Sequence, residues 1–201
     1  MPVRYIHIGV TNTMVNVNHS TLTDPYLHEP KGVATAQSGS IYVADGAGTG
    51  LWKVHHQVAG AYIPFDSTTP AYIHSCTTSD TAINPTFEFA YNEGFTAEAG
   101  PARVIYSGVQ DISSQITLTL STKQASGSQK DIVWSIYKNG SLLLGSQTIR
   151  TISSGTWGSI TITGYTTLSQ NDYISVYSRS SADCSVEYAA GFLTIMGLPE
   201  L

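Results

Sequence analysis

The sequence predicts an all-β chain: a C-terminal β-sandwich or jelly roll preceded by a small region of short strands and loops. Three observations carry this. The run Asp131 to Gly140, Asp-Ile-Val-Trp-Ser-Ile-Tyr-Lys-Asn-Gly, alternates and then ends in Asn-Gly. Its Ile132, Trp134 and Ile136 point one way, and Val133, Ser135 and Tyr137 the other. Asn139-Gly140 suits a type I′ hairpin turn, which needs positive φ at both central residues. Second, Ile116, Leu118 and Leu120 alternate with Thr117, Thr119 and Ser121, the pattern of a strand buried on one face. Third, no segment sustains helical periodicity, while Gly, Asn, Ser and Pro punctuate many short apolar runs.

In chain order, residues 3–17 alternate loosely through Val3, Tyr5, Ile6, Ile8 and Val10, then Met14, Val15 and Val17, with a break near Asn12. Asn18 to Pro30 is polar and turn-rich. Residues 28–53 form a distinct unit, with a short strand over Ser40 to Ala44, a turn at Asp45-Gly46, a loop at Gly48-Thr49-Gly50, and apolar Leu51-Trp52. That unit is too small to bury a core alone. The domain boundary is therefore set at 57/58, with residues 1–57 anchoring and 58–201 forming the sandwich. Candidate strands follow at Ala61–Phe65, Ala71–Cys76, Thr86–Ala90, Ala102–Tyr106, Gln115–Ser121, Ile132–Tyr137, Leu142–Thr151, Gly158–Ile162, Asp172–Arg179 and Ser185–Met196.

Composition narrows the function. Of 201 residues, 41% are hydrophobic, enough for a real core, but only 11% are charged, against about a quarter in an ordinary globular chain. A surface of Ser, Thr, Asn and Gln repels neighbours little and suits an assembly. The net charge of −5 with no basic run argues against nucleic acid. No apolar run is long enough to span a membrane, and no apolar h-region follows Met1, so no signal peptide is expected. Cys76 and Cys184 have no metal-ligand spacing; nothing requires a disulfide between them, and two buried free thiols are the favoured reading.

Motifs for chemistry are missing. Asp45 to Gly50 is glycine-rich but lacks the Gly-Lys-Ser/Thr ending and the helix of a phosphate loop, and its single carboxylate is too few for calcium. His7, His19, His28, His55, His56 and His74 form no chelating pair and read as surface or linker residues. Glu88, Glu93, Glu98, Asp111, Asp131, Asp172, Asp183 and Glu187 are scattered, so a glycosidase pair has no support, and no Gly-x-Ser-x-Gly elbow occurs. No catalytic residue, cofactor or metal is expected.

The remaining signal is aromatic: 12 tyrosines. Tyr173 and Tyr177 share a strand face with Ser175, while Ile174 and Val176 take the other. This tyrosine stripe reads first as a subunit interface, where Tyr is enriched, and otherwise as a sugar-binding face.

Several motifs in order resemble the C1q/TNF-like jelly rolls of bacteriophage structural proteins. They are Ala102 to Gly108, Ile112 to Ser121, Ser135 to Gly140, the strand lead-in Leu168-Ser169-Gln170-Asn171-Asp172, and the closing run Val186 to Leu198. Asn171 stands where that lead-in usually has Gly; Asn tolerates the same left-handed conformation. The resemblance covers roughly residues 59–201. Lys31 to Trp52 is similar to short modules preceding such domains. The resemblance implies a homotrimer, a place on the surface of a virion assembled in a host cytoplasm, and no catalysis. By that analogy Tyr173, Ser175, Tyr177, Tyr188 and Phe192 are expected at the trimer interface. Tyr5, Ile6, Ile8, Lys31, Tyr42, Asp45 and Trp52 are expected to anchor to the major capsid protein or another virion protein. The function expected is capsid decoration or a head fibre; the alternative is a tail-fibre module gripping host glycan.

Overall fold

Long strands form where alternation is strongest, and the two sheets they build meet on one shared apolar layer. The computed structural model describes residues 40–44, 50–54, 57–64, 70–98 and 102–199, all within one compact unit, Gln37–Leu201. The readings on Tyr5, Ile6, Ile8, Lys31 and Asp45, and on every histidine but His74, lie outside the described residues. Among those described, the strands are β1 (Ser40–Ala44), β2 (Gly50–Val54), β3 (Gln57–Ile63), β4 (Tyr72–Cys76), β5 (Thr81–Ala82), β6 (Glu88–Glu93), β7 (Phe95–Glu98), β8 (Arg103–Tyr106), β9 (Ile112–Gln124), β10 (Lys130–Lys138), β11 (Ser141–Ile152), β12 (Gly158–Leu168), β13 (Tyr173–Ser180) and β14 (Cys184–Pro199).

β1 and β2 form a separate antiparallel hairpin. It falls in the same compact unit as the sandwich, although the sequence reading assigns it to the anchoring region. One sheet runs β11-β10-β13-β8-β7, with β5 added beside β13; the other runs β12-β9-β14-β3-β6, with β4 added beside β14. Every pairing is antiparallel, so this is a sandwich with Greek-key-like crossovers. Strands β5 and β7 escape sequence detection because two and four residues are too few to display a period.

The core follows the predicted faces. Ile132, Trp134 and Ile136 of β10 are fully buried, as are Ile116, Leu118 and Leu120 of β9. Trp134 comes from one sheet and Tyr188 from the other, and the Trp134 indole N–H donates to the Tyr188 hydroxyl at 3.2 Å. Burial pushes the Tyr188 phenol far up, so it stays neutral. Tyr188, expected at a subunit interface, is therefore a core residue with no exposed surface. The reason is a bulge in β14: Tyr188 faces Thr122 but Ala190 faces Ser121, leaving Ala189 as an extra residue. Ahead of the bulge the even-numbered residues point inward; beyond it the odd-numbered Gly191, Leu193 and Ile195 do.

The Asn139-Gly140 turn has φ of 51° and 74°, as type I′ demands, and Asn171 sits at φ 70°. These two turns are tied by Asp172. Its carboxylate accepts from Asn139 Nδ2 at 2.6 Å and from Ser169 N–H at 2.8 Å, and pairs with Lys138 Nζ at 2.8 Å. The Asn139 carbonyl oxygen accepts in turn from Tyr173 N–H at 2.9 Å. Partial burial pushes the Asp172 carboxyl up, but the hydrogen bonds from Lys138, Ser169 and Asn139 and the Lys138 charge outweigh it and hold it below its ordinary value. A carboxyl lowered in the fold adds stability that is full above its unfolded value and is lost as pH falls through the folded one. Asp172→Ala is expected to lower stability by roughly 1–3 kcal/mol at neutral pH, measured by urea unfolding. The gap to wild type is expected to close below about pH 4.

Candidate functional site

The two sheets present different outward faces. On the first, Ile174 and Val176 of β13 are fully buried and Tyr173 and Tyr177 point away from the core, matching the predicted alternation. These tyrosines are engaged within the chain. Tyr177 stacks on Tyr137 with ring centroids 3.9 Å apart and planes at 26°. The Tyr137 hydroxyl donates to Asp80 Oδ2 at 2.8 Å, and Arg179 Nη1 donates to both Asp80 oxygens at 3.2 and 3.1 Å. The Arg103 guanidinium lies 4.2 Å over the Tyr173 ring. Burial, then the Asp80 hydrogen bond and charge, push the Tyr137 phenol up to about 12. Ser175, at 3% exposure, offers a partner almost no surface. The stripe thus holds the β4–β5 connection, which carries Asp80, onto β10 and β13.

The outward face of the second sheet is different in kind. Register places Leu198, Ser113 and Thr167 in one row, and Met196, Gln115 and Tyr165 in the next. Thr194, Thr117 and Thr163 make a third row, and Phe192, Thr119 and Thr161 a fourth. None of these twelve is charged. Cross-strand hydroxyl contacts join Thr119 to Thr161 at 3.1 Å and Thr117 to Thr163 at 3.4 Å. β3 extends the field with Val58 opposite Met196, Gly60 opposite Thr194 and Tyr62 opposite Phe192. The Tyr91 ring covers Gly60, where a Cβ would lie 2.5 Å from it and would have to push the ring aside. Charge lies at the rim of this field: at edge strand β6 through Glu88, which accepts from the Tyr62 hydroxyl at 2.7 Å, and Glu93, opposite Val58, and farther along β9 and β14 as the Lys123–Glu187 ion pair at 3.1 Å. Large apolar side chains stand out of this face: Tyr165 is 69% exposed, Leu198 66% and Met196 57%. With Val58, Ser113 and Gln115 they line a groove of about 610 Å³.

β14 makes this face unusual. Leu193 and Ile195 fill the core, while Phe192, Met196 and Leu198 on the other side are also apolar and are exposed. A strand apolar on both sides is ordinarily covered on both sides. Of the five residues expected at an interface, Phe192 is the one on this face. Tyr165, Val58, Met196 and Leu198 are missed by sequence reasoning, although the double-sided apolar run Phe192 to Leu198 is a usable signal for Met196 and Leu198.

Other expected positions are placed as follows. Tyr42 and Trp52 are register partners in the β1–β2 hairpin, with rings edge-to-face at 5.4 Å, and Trp52 C=O accepts from Gln110 Nε2 at 2.8 Å. His74 is buried, at 7% exposure, rather than on the surface; it lies on the core side of β4, and burial pushes its imidazole down, toward the neutral form. Cys76 and Cys184 are free thiols. Among the described residues, no three His, Cys, Asp or Glu side chains gather into a metal-holding group, and no helix is long and apolar enough to cross a membrane.

No family model matches this sequence, and no curated protein matches it. Among solved structures, the chain is similar to the Eiger TNF of S. frugiperda, with a TM-score of 0.51 and 11% identity over 72% of this chain and 95% of that one. It also aligns with murine APRIL, at a TM-score of 0.45 and 18% identity over 71% and 99% of the chains. A further alignment is to PRD1 vertex protein P5, at 0.40 and 13% identity over 72% and 97%. The class is thereby defined: an all-β, TNF-like jelly-roll sandwich.

Asp80→Ala is expected to release Tyr137 and Arg179 together, costing roughly 1–2 kcal/mol because the ion pair is partly solvated. The Tyr137 phenol should then titrate closer to the ordinary tyrosine value, as followed by NMR of ring-labelled tyrosine.

Proposed function

We propose that this chain is a structural protein of a virion: a homotrimeric capsid decoration or head-fibre protein. In this reading residues 1–57 attach it to the major capsid protein or another virion protein, and the jelly roll projects outward. The observation that carries the self-association is β14, apolar on its core side and again on its exposed side, running through four uncharged cross-strand rows. Protomers meet on that face, with Phe192, Met196, Leu198 and Tyr165 at the contact. Burying such side chains is worth about 25 cal/mol per Å² of apolar surface, and the hydroxyl and amide groups between them carry no charge to desolvate. The threefold count and the virion setting rest on the ordered motifs over residues 59–201. The scarcity of charge, 11% of residues, supports a protein packed among neighbours. Function is then attachment: three weak anchors on one trimer bind together through effective concentration. No step of this reading needs catalysis or a cofactor.

The test is mass in solution, by light scattering, on three forms of the full chain. Wild type is expected to be trimeric at micromolar concentration. Met196→Lys is expected to weaken the trimer by roughly 100-fold or more, since each protomer would bury an unpaired charge. Tyr177→Lys, on the other sheet, is expected to leave the trimer mass unchanged. A monomeric wild type would sink the assembly reading, and a trimer lost with Tyr177→Lys but kept with Met196→Lys would move the interface to the tyrosine stripe. Immunogold labelling of intact particles, on head or tail, tests the virion setting separately.

A further inference from the structure

Cys76 ends β4 and Cys184 begins β14, 108 positions apart in the sequence, yet the strand register sets them directly opposite one another. Directly opposed residues of an antiparallel pair share a face, with Cα atoms about 4.5–5.5 Å apart. A disulfide spans Cα separations of about 4.4–6.8 Å. Both side chains are on the core side: Cys76 is 1% exposed, and Cys184 packs partly buried against the same cluster. Each thiol donates to a serine hydroxyl of β13 in the facing sheet, Cys76 Sγ to Ser178 Oγ at 3.5 Å and Cys184 Sγ to Ser180 Oγ at 3.3 Å. The chain changes sheets just past Cys76, where Ser180 N–H donates to Thr77 C=O at 2.7 Å, before β5 joins β13. The two cysteines are therefore opposed at the seam between the sheets, each thiol facing β13.

We propose that Cys76 and Cys184 form a disulfide site, closed by exchange with a low-molecular-weight disulfide and reopened by a thiol. Cys184, the partly exposed partner, reacts first: its thiolate attacks one sulfur of the reagent and expels one thiolate, which takes up a proton. Cys76 then loses its proton to solvent and attacks the Cys184 sulfur, expelling the second reagent thiolate, which is protonated in turn. One reagent disulfide and two protein thiols become one protein disulfide and two reagent thiols, a transfer of two electrons. Burial pushes the Cys76 thiol up to about 11, which makes it the slow, resolving partner. The closed bond fixes β4 to β14 across a long chain loop, the arrangement that most restricts the unfolded state. The site stands on strand register alone and holds whether or not the protein belongs to a virion.

The experiment incubates the reduced full chain under native conditions with oxidised glutathione. Expected are loss of both free thiols, an intact mass lower by two hydrogens, and a peptide in non-reducing digests linking Cys76 to Cys184. Tm is expected to rise by roughly 5 °C or more, and dithiothreitol is expected to reverse it. The Cys184→Ser chain should fold with the Tm of the reduced wild type and show no rise with oxidant. A stable glutathione adduct on Cys184 with Cys76 still free overturns the proposal. So do protomers cross-linked through these cysteines, thiols that stay unreacted, or the same Tm rise in Cys184→Ser.

Discussion

The contact between Trp134 and Tyr188 is the constraint on which the sandwich depends. Each is the largest buried side chain of its sheet, and each brings a polar atom into the core. A buried indole N–H without a partner would cost about 1–3 kcal/mol. Here it finds the Tyr188 hydroxyl across the sheet gap, which sets β10 over β14 in one register. Tyr106 repeats the solution at the end of β8, donating its hydroxyl to Gln110 C=O at 2.6 Å. The bulk of the aromatic rings fills the gap between sheets, and their polar tips choose where each ring stops.

That register decides what the outside looks like. With Tyr188 pinned inside, the extra residue Ala189 turns Phe192, Met196 and Leu198 outward. They land beside a field of threonines on β9 and β12 that pair hydroxyl to hydroxyl and leave these rows without charge. The opposite sheet solves its surface differently. Its tyrosines fold over onto one another and onto an Asp80–Arg179 ion pair, so their area is spent on holding the chain together. Two aromatic-bearing faces that look alike in composition thus differ in what they leave available to a partner.

The fold was legible because its signals are local. The alternation of Ile112 to Gln124 appears residue by residue in the observed burial, and that of Lys130 to Lys138 does so except at Ser135, which is buried as well; Asn139, Gly140 and Asn171 take the positive φ that their identities suggest. The candidate site was legible only in part. Tyr188 and Phe192 are four residues apart and look like one face of a strand, and a single inserted residue puts one in the core and the other in solvent. His74 reads as a surface histidine until β4 is seen packed on β14, where its face is the inner one. Tyr165 lies on a strand whose sequence reads only as threonine-rich, and its partners Met196 and Leu198 come from the far end of the described chain.

What the sequence by itself determined is the class and the means: all-β, from period-two alternation and turn chemistry, and a surface poor in charge, from composition. These depend on neighbours along the chain and on simple counts. What only the tertiary structure decided is which apolar side of β14 faces inward, which tyrosines are already used, and that Cys76 meets Cys184. Those depend on strand register and on a bulge, set by packing between residues far apart in the chain, from Tyr188 against Thr122 to Cys184 against Cys76, and by the need to satisfy Trp134 inside the core.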